Sequence, residues 1–168
     1  MSALLPQAEL ATSSQAATEA LGEALAPLLA PGDVLLLSGD LGAGKTQLTK
    51  GIARGLAVAE PVTSPTFNIL LVHEGRIPLH HFDLYRLDSA EQLEDIDYWG
   101  TLESDGVSVV EWGDRFAEAL PADGVDVRIS ITGDDSRNLA LMALGPRGIT
   151  LIADWARSAR FVPGVEEA

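Results

Sequence analysis

The sequence predicts an α/β fold: a P-loop NTPase-like, three-layer arrangement with a mixed central sheet flanked by helices and a C-terminal antiparallel hairpin. Three observations carry that expectation. The apolar run Val34-Leu35-Leu36-Leu37 leads into Gly39-Asp40-Leu41-Gly42-Ala43-Gly44-Lys45-Thr46, which reads G-x-x-x-x-G-K-T. A second apolar run, Val107-Ser108-Val109-Val110, ends in Glu111. Two apolar segments, Val127 to Thr132 and Leu139 to Leu144, flank the turn residues Asp134-Asp135-Ser136-Arg137.

In chain order, Thr12-Ser13-Ser14-Gln15 fits a capping box, and Leu21, Leu25 and Leu28 repeat at helical spacing up to Pro31-Gly32. A strand from Val34 to Ser38 precedes the glycine-rich loop. A helix from about Lys45 to Ala57 follows, with Leu48, Ile52 and Leu56 on its buried face. After the proline-stiffened loop Val62-Thr63-Ser64-Pro65-Thr66-Phe67, strands at about 68–73 and 77–84 flank the turn Glu74-Gly75-Arg76. Alternation along the second of these puts Leu79, His81, Asp83 and, if the strand runs on, Tyr85 on one side and His80, Phe82 and Leu84 on the other. The acidic stretch from Ser89 to Ile96 reads as a short surface helix, and Arg115 to Leu120 as a helix stopped by Pro121.

With 168 residues and 46% hydrophobic content, the chain is expected to form a single domain over residues 1–168, with 1–9 and about 146–168 as peripheral or partly disordered tails. There is no cysteine, which removes disulfides, thiolate zinc sites and cysteine nucleophiles and fits a cytoplasmic protein. No apolar stretch approaches a bilayer-spanning length, and the N-terminus has no export-signal pattern. A formal charge of −14 repels a phosphodiester backbone, and the nine arginines are spread without a cluster, so direct, tight binding of nucleic acid is not expected.

Each residue type in the G-x-x-x-x-G-K-T segment has a physical task. Glycines at 39, 42 and 44 let the backbone of Gly39, Asp40, Leu41, Gly42, Ala43 and Gly44 wrap a phosphate, and the following helix adds the positive end of its dipole. Lys45 is placed for the β and γ phosphates, and the Thr46 hydroxyl for magnesium. ATP is favoured over GTP, because neither of the two lysines lies in the Asn/Thr-Lys-x-Asp element that reads guanine. Asp97-Tyr98-Trp99-Gly100 matches the D-x-x-G of GTPases but follows a polar stretch instead of a buried strand, so we read it as coincidence.

Ligands of open α/β sheets sit at the carboxyl ends of strands, which places Glu111 to reach magnesium directly or through water. Asp83 is the second candidate carboxylate. Thr63, Ser64 and Thr66 lie in a loop that suits γ-phosphate sensing or is a plain connection. Trp112 suits stacking on a nucleotide or partner, or core packing. His80 and His81 are adjacent and cannot both face one metal from a regular strand.

Four motifs taken together resemble the TsaE family, also called YjeE: Gly-Asp-Leu-Gly-Ala-Gly-Lys-Thr at 39–46, Thr-Ser-Pro-Thr-Phe at 63–67, His-Phe-Asp-Leu-Tyr-Arg-Leu at 81–87 and Val-Glu-Trp-Gly-Asp-Arg at 110–115. The similarity spans roughly residues 10 to 145. It implies a magnesium-dependent ATPase, weak alone, that supports synthesis of N6-threonylcarbamoyladenosine in tRNAs decoding ANN codons. The implied partners are TsaD and TsaB, with tRNA met only through their complex and no membrane involved. Carried over by position, Lys45 and Thr46 bind phosphate and magnesium, and Thr66 belongs to a first switch. Asp83 and Glu111 complete the magnesium site and support hydrolysis, and Trp112 lies near the nucleotide. The carbamoyl transfer belongs to TsaD in that family, which leaves ATP-driven resetting to this chain. A small-molecule kinase and a nucleotide-sensing interaction module are the competing readings.

Overall fold

The computed structural model describes residues 6–63 and 68–168. In chain order its elements are β1 Ala8–Thr12, α1 Gln15–Leu25, β2 Val34–Ser38, α2 Lys45–Gly55, β3 Leu70–His73, β4 Leu79–Asp83, α3 Gln92–Asp95, α4 Tyr98–Leu102, β5 Val107–Glu111, β6 Val125–Ile131, β7 Arg137–Ala143, α5 Pro146–Ala159 and β8 Val165–Glu167. The strands form one mixed sheet ordered β3-β4-β5-β2-β6-β7-β1-β8. Its centre is parallel, β4 to β5 to β2 to β6, while β3, β7, β1 and β8 pair antiparallel. The central strands are therefore covered on both faces, as their nearly unbroken apolar runs demand.

Alternate residues of β2 feed two cores. Leu35 and Leu37 pack with Leu21 and Leu25 of α1, Leu48 and Ile52 of α2, and Leu151, Ile152 and Trp155 of α5. Val34 and Leu36 pack with Phe82, Val110, Leu93 of α3, and Tyr98 and Leu102 of α4. Helix α2 lies so close to α1 that a Cβ on Gly51 would overlap the carbonyl of Glu19. That approach fixes α2, and with it the loop that precedes it.

Several sequence expectations need correction. The capping residue of α1 is Ser14, whose Oγ accepts from the Ala17 N–H at 3.0 Å; Thr12 ends β1 and meets Thr18 instead. Residues 115–120 are not a helix. Two short 3-10 turns, Gly113–Arg115 and Ala117–Ala119, are separated by an extended Phe116 (φ −127°). The expected antiparallel hairpin at 127–144 does form, as β6–β7, and it lies inside the sheet, because β6 pairs with β2 and β7 with β1. Of the two segments expected as peripheral tails, residues 8–9 begin β1 and 146–168 supply α5 and the edge strand β8, while 1–5 lie outside the described residues.

Helix α5 receives its cap from outside its own sequence. Asp123 accepts from the N–H groups of Arg147 at 3.0 Å and Gly148 at 2.9 Å, two donors that a helix start leaves without intrahelical partners. Partial desolvation would raise the Asp123 pKa, but these N–H groups, that of Gly124 and the Arg147 charge outweigh it and hold the carboxyl below its usual value. A depressed folded-state pKa contributes stability that is present above the unfolded value near 3.8 and lost as pH falls through the folded value. Asp123→Ala is expected to cost about 1 kcal/mol at neutral pH. Urea titrations between pH 6 and 3 should show the difference from wild type shrinking at the acid end; a constant difference contradicts the assignment.

Candidate active site

The loop 39–44 carries the chain from the tip of β2 onto the N-terminus of α2, where unpaired N–H groups and the helix dipole favour an anion. It needs positive φ at Gly39 (153°), Gly42 (82°) and Gly44 (111°). Lys45 folds back so that Nζ donates to the Gly39 carbonyl at 2.7 Å and lies 4.5 Å from the centroid of the Trp112 ring. The lysine is only 8% exposed, so its charge is held in place at the loop instead of moving in solvent.

Beside the loop, β4 and β5 end level with each other. Asp83 pairs with Glu111 across the parallel register, and Glu111 pairs with Leu37 of β2. Both carboxylates therefore stand at the carboxyl edge of the sheet, and with Lys45, Thr46 and Trp112 they line a cleft of about 670 Å³. Burial pushes the Asp83 carboxyl up, and the Glu111 charge pushes it the same way. The Tyr85 N–H, which donates to Oδ1 at 3.0 Å, and the neighbouring His81 and Lys45 side chains oppose them without prevailing.

Glu111 is oriented by a buried histidine. His81 Nε2 lies 2.7 Å from Glu111 Oε2, and His81 Nδ1 has no partner among the described residues. A proton on Nε2 makes that nitrogen a donor to the carboxylate and leaves only an acceptor lone pair unpaired at Nδ1. This is the less costly assignment of a neutral ring. Trp112, the next residue, holds a left-handed φ of 62°, uncommon for a bulky side chain. Its ring meets that of Tyr85 at 5.0 Å between centroids.

A raised folded-state pKa on Asp83 has a definite sign for stability. The folded chain holds that proton more tightly than the unfolded chain, so stability present at low pH is lost as pH rises through the folded pKa. In buffer without divalent cation at pH 7, Asp83→Asn is therefore expected to raise the thermal midpoint. The amide keeps an oxygen for the Tyr85 N–H and removes the repulsion with Glu111. A lowered midpoint contradicts the desolvation argument.

A family model described as threonylcarbamoyl adenosine biosynthesis protein TsaE matches residues 12–139. The chain belongs to the TsaE family. Relatives named tRNA threonylcarbamoyladenosine biosynthesis protein TsaE include that of Bacillus subtilis (strain 168), 40% identical over 141 residues, or 83% of this chain and 88% of the relative. Another is from Streptomyces coelicolor, 46% identical over 138 residues, or 77% and 93%. A third, from Treponema pallidum, is 42% identical over 120 residues, or 71% and 89%. The chain also superposes on a crystal structure of Bacillus subtilis YdiB with a TM-score of 0.77 at 34% identity, covering 93% of this chain and 98% of that one.

Within this TsaE-family chain, Leu41, Gly42, Ala43, Gly44, Lys45, Thr46, Asp83, Glu111 and Trp112 all line one cleft, as the motif reading grouped them. Gly39 and Asp40 shape the loop instead: the Gly39 carbonyl anchors Lys45, and the Asp40 carbonyl accepts from the Ala43 N–H at 2.9 Å. Thr66, with Ser64, lies outside the described residues. Asp97 to Gly100 do not line the cleft; Tyr98 is buried in the second core, its hydroxyl donating to the Ala119 carbonyl at 2.8 Å. The cleft also takes in Gln15, Thr18, Tyr85, Arg86, Asp135 and Arg137. Gln15 reads in the sequence only as part of a capping box, Thr18 carries no motif, and Arg137 reads only as a turn residue. His81 lies in a recognisable motif, but its pairing with Glu111 depends on the β4–β5 register.

Proposed function

We propose that this chain is a magnesium-dependent ATPase of P-loop architecture serving N6-threonylcarbamoyladenosine formation in tRNAs decoding ANN codons. In this reading it works in the cytoplasm with TsaD and TsaB. The observation that carries it is the convergence of one buried lysine, one helix-start threonine and two strand-tip carboxylates on a glycine-formed anion cradle. The biosynthetic role rests on the family and on the names of its relatives.

The donor set fits a nucleotide with magnesium. A Cβ placed on Gly42 would meet nothing within 4 Å, so the loop is open on that side for phosphate to approach the backbone. Magnesium commonly takes one or two protein oxygens and completes its shell with water and phosphate, and Thr46, Asp83 and Glu111 offer that set of donors. The ion would supply neutralisation of charge on the phosphates. Lys45 would balance the β and γ oxygens from a position already set by the Gly39 carbonyl. His81 holds one Glu111 oxygen, which leaves the other for the ion shell or the attacking water. Asp83, with its raised proton affinity, is suited to accept a proton from that water. The strongly acidic surface argues against direct tRNA contact and for action through partner proteins.

The test is steady-state ATP hydrolysis with magnesium, for the chain alone and with TsaD–TsaB added, using Lys45→Ala as control. Slow turnover that the partners change is the expected result. Hydrolysis indifferent to them overturns the partner-coupled reading. Phosphorylation of a small acceptor favours a kinase, and nucleotide binding with single-turnover hydrolysis at background favours a sensor.

A further inference from the structure

Arg137 opens β7, far along the chain from the glycine-rich loop, yet its guanidinium is committed to that loop. Nε donates to the Ala43 carbonyl at 2.9 Å and Nη2 to the Gly42 carbonyl at 3.2 Å. On its other side Nη1 donates to the carbonyls of Ser136 at 2.8 Å and Gly133 at 3.0 Å within the β6–β7 turn. One planar fork thus ties the apex of the loop to a hairpin braced by seven-residue strands on both sides. The Arg137 stem also runs beside Gly44, with Cγ 3.9 Å from where a Cβ would stand.

The consequence follows from peptide geometry. In a planar trans peptide the C=O and the next N–H point in opposite directions. A cation holding the Ala43 carbonyl therefore turns the Gly44 N–H away from itself, and by holding the Gly42 carbonyl it fixes the peptide whose Ala43 N–H closes the turn onto the Asp40 carbonyl. It also polarises those peptides so that the N–H ends are stronger donors. We infer that Arg137 is a positioning residue that presets the loop for phosphate, acting through the loop backbone and not as a phosphate ligand. This rests on the reading of the loop as a phosphate site. Lysine cannot substitute, because a point charge lacks the fixed fork that reaches five carbonyls in two segments, that of Asp134 at 3.4 Å included.

The test uses the full chain with Arg137→Ala and Arg137→Lys, two readouts, and circular dichroism to confirm that each variant is folded. Calorimetric titration with Mg-ADP is expected to show Kd raised about tenfold or more in both variants, with kcat at saturating ATP reduced far less than kcat/KM. Hydrogen exchange of the nucleotide-free protein is expected to show faster exchange across residues 42–45. Recovery of affinity by lysine, or unchanged exchange in the free protein, overturns the brace and makes Arg137 a direct charge contact. Wild-type protein that binds no Mg-ADP overturns the nucleotide reading instead, while the exchange arm still decides whether Arg137 orders the loop.

Discussion

Glu111→Gln is expected to lower ATP turnover on the order of 100- to 1,000-fold while leaving the dissociation constant for Mg-ATP within a few-fold of wild type. The side chain sits at the tip of β5, where burial leaves no room for a change of shape, and glutamine keeps that shape. Its amide oxygen can still accept from His81 Nε2, so the fold of the strand tips should survive. What disappears is a negative charge beside the proposed magnesium and attacking water. The loss also removes one of the influences that push the Asp83 carboxyl up, so the base loses proton affinity together with its neighbour. Lys45→Ala should do the opposite: nucleotide affinity falls first, because a cation anchored 2.7 Å from the Gly39 carbonyl is removed from the proposed phosphate cradle. Single-turnover hydrolysis beside equilibrium titration with a fluorescent nucleotide separates the two. Equal loss of affinity in both variants contradicts the division of labour.

The parts of this site that the sequence discloses are those whose physics is local. A glycine-rich turn at a helix start depends on backbone freedom within eight residues, and an acid following an apolar run marks a strand tip wherever that strand lands in the sheet. The Asp83–Glu111 pairing was approachable for that reason, although the register that sets them side by side is a property of the sheet. Arg137 was not legible, since its partners are backbone carbonyls more than ninety residues away and a carbonyl has no sequence signature. Strand β1 was missed on similar grounds. Ala8-Glu9-Leu10-Ala11-Thr12 has one large apolar residue and becomes a strand through β7 and β8 on either side. At 115–120, helix-compatible composition was overridden by the need to turn the chain back over the second core, where Phe116 packs and Ala119 is buried.

Trp155→Ala is expected to destabilise the chain by about 3–5 kcal/mol, a large fraction of the stability of a domain this size. Trp155 is fully buried in the core formed by α1, α2 and the sheet, and its indole N–H donates to the Leu21 carbonyl of α1 at 3.0 Å. Removing the ring opens a cavity beside Leu21 of α1, the helix against which α2 packs closely, and α2 carries the glycine-rich loop at its N-terminus. Leu151, Ile152, Trp155 and Ala159 recur at helical spacing, so the buried stripe of α5 was present in the sequence. The motifs that drew attention to the site end before it. Residues 140–168 also lie beyond the family match, which shows that the region supporting the fold is wider than the region carrying the motifs. Urea denaturation of Trp155→Ala and Trp155→Phe should give a large and a smaller shift in midpoint with the same slope. A surface-like change below about 0.5 kcal/mol for alanine would mean that α5 is dispensable to the core.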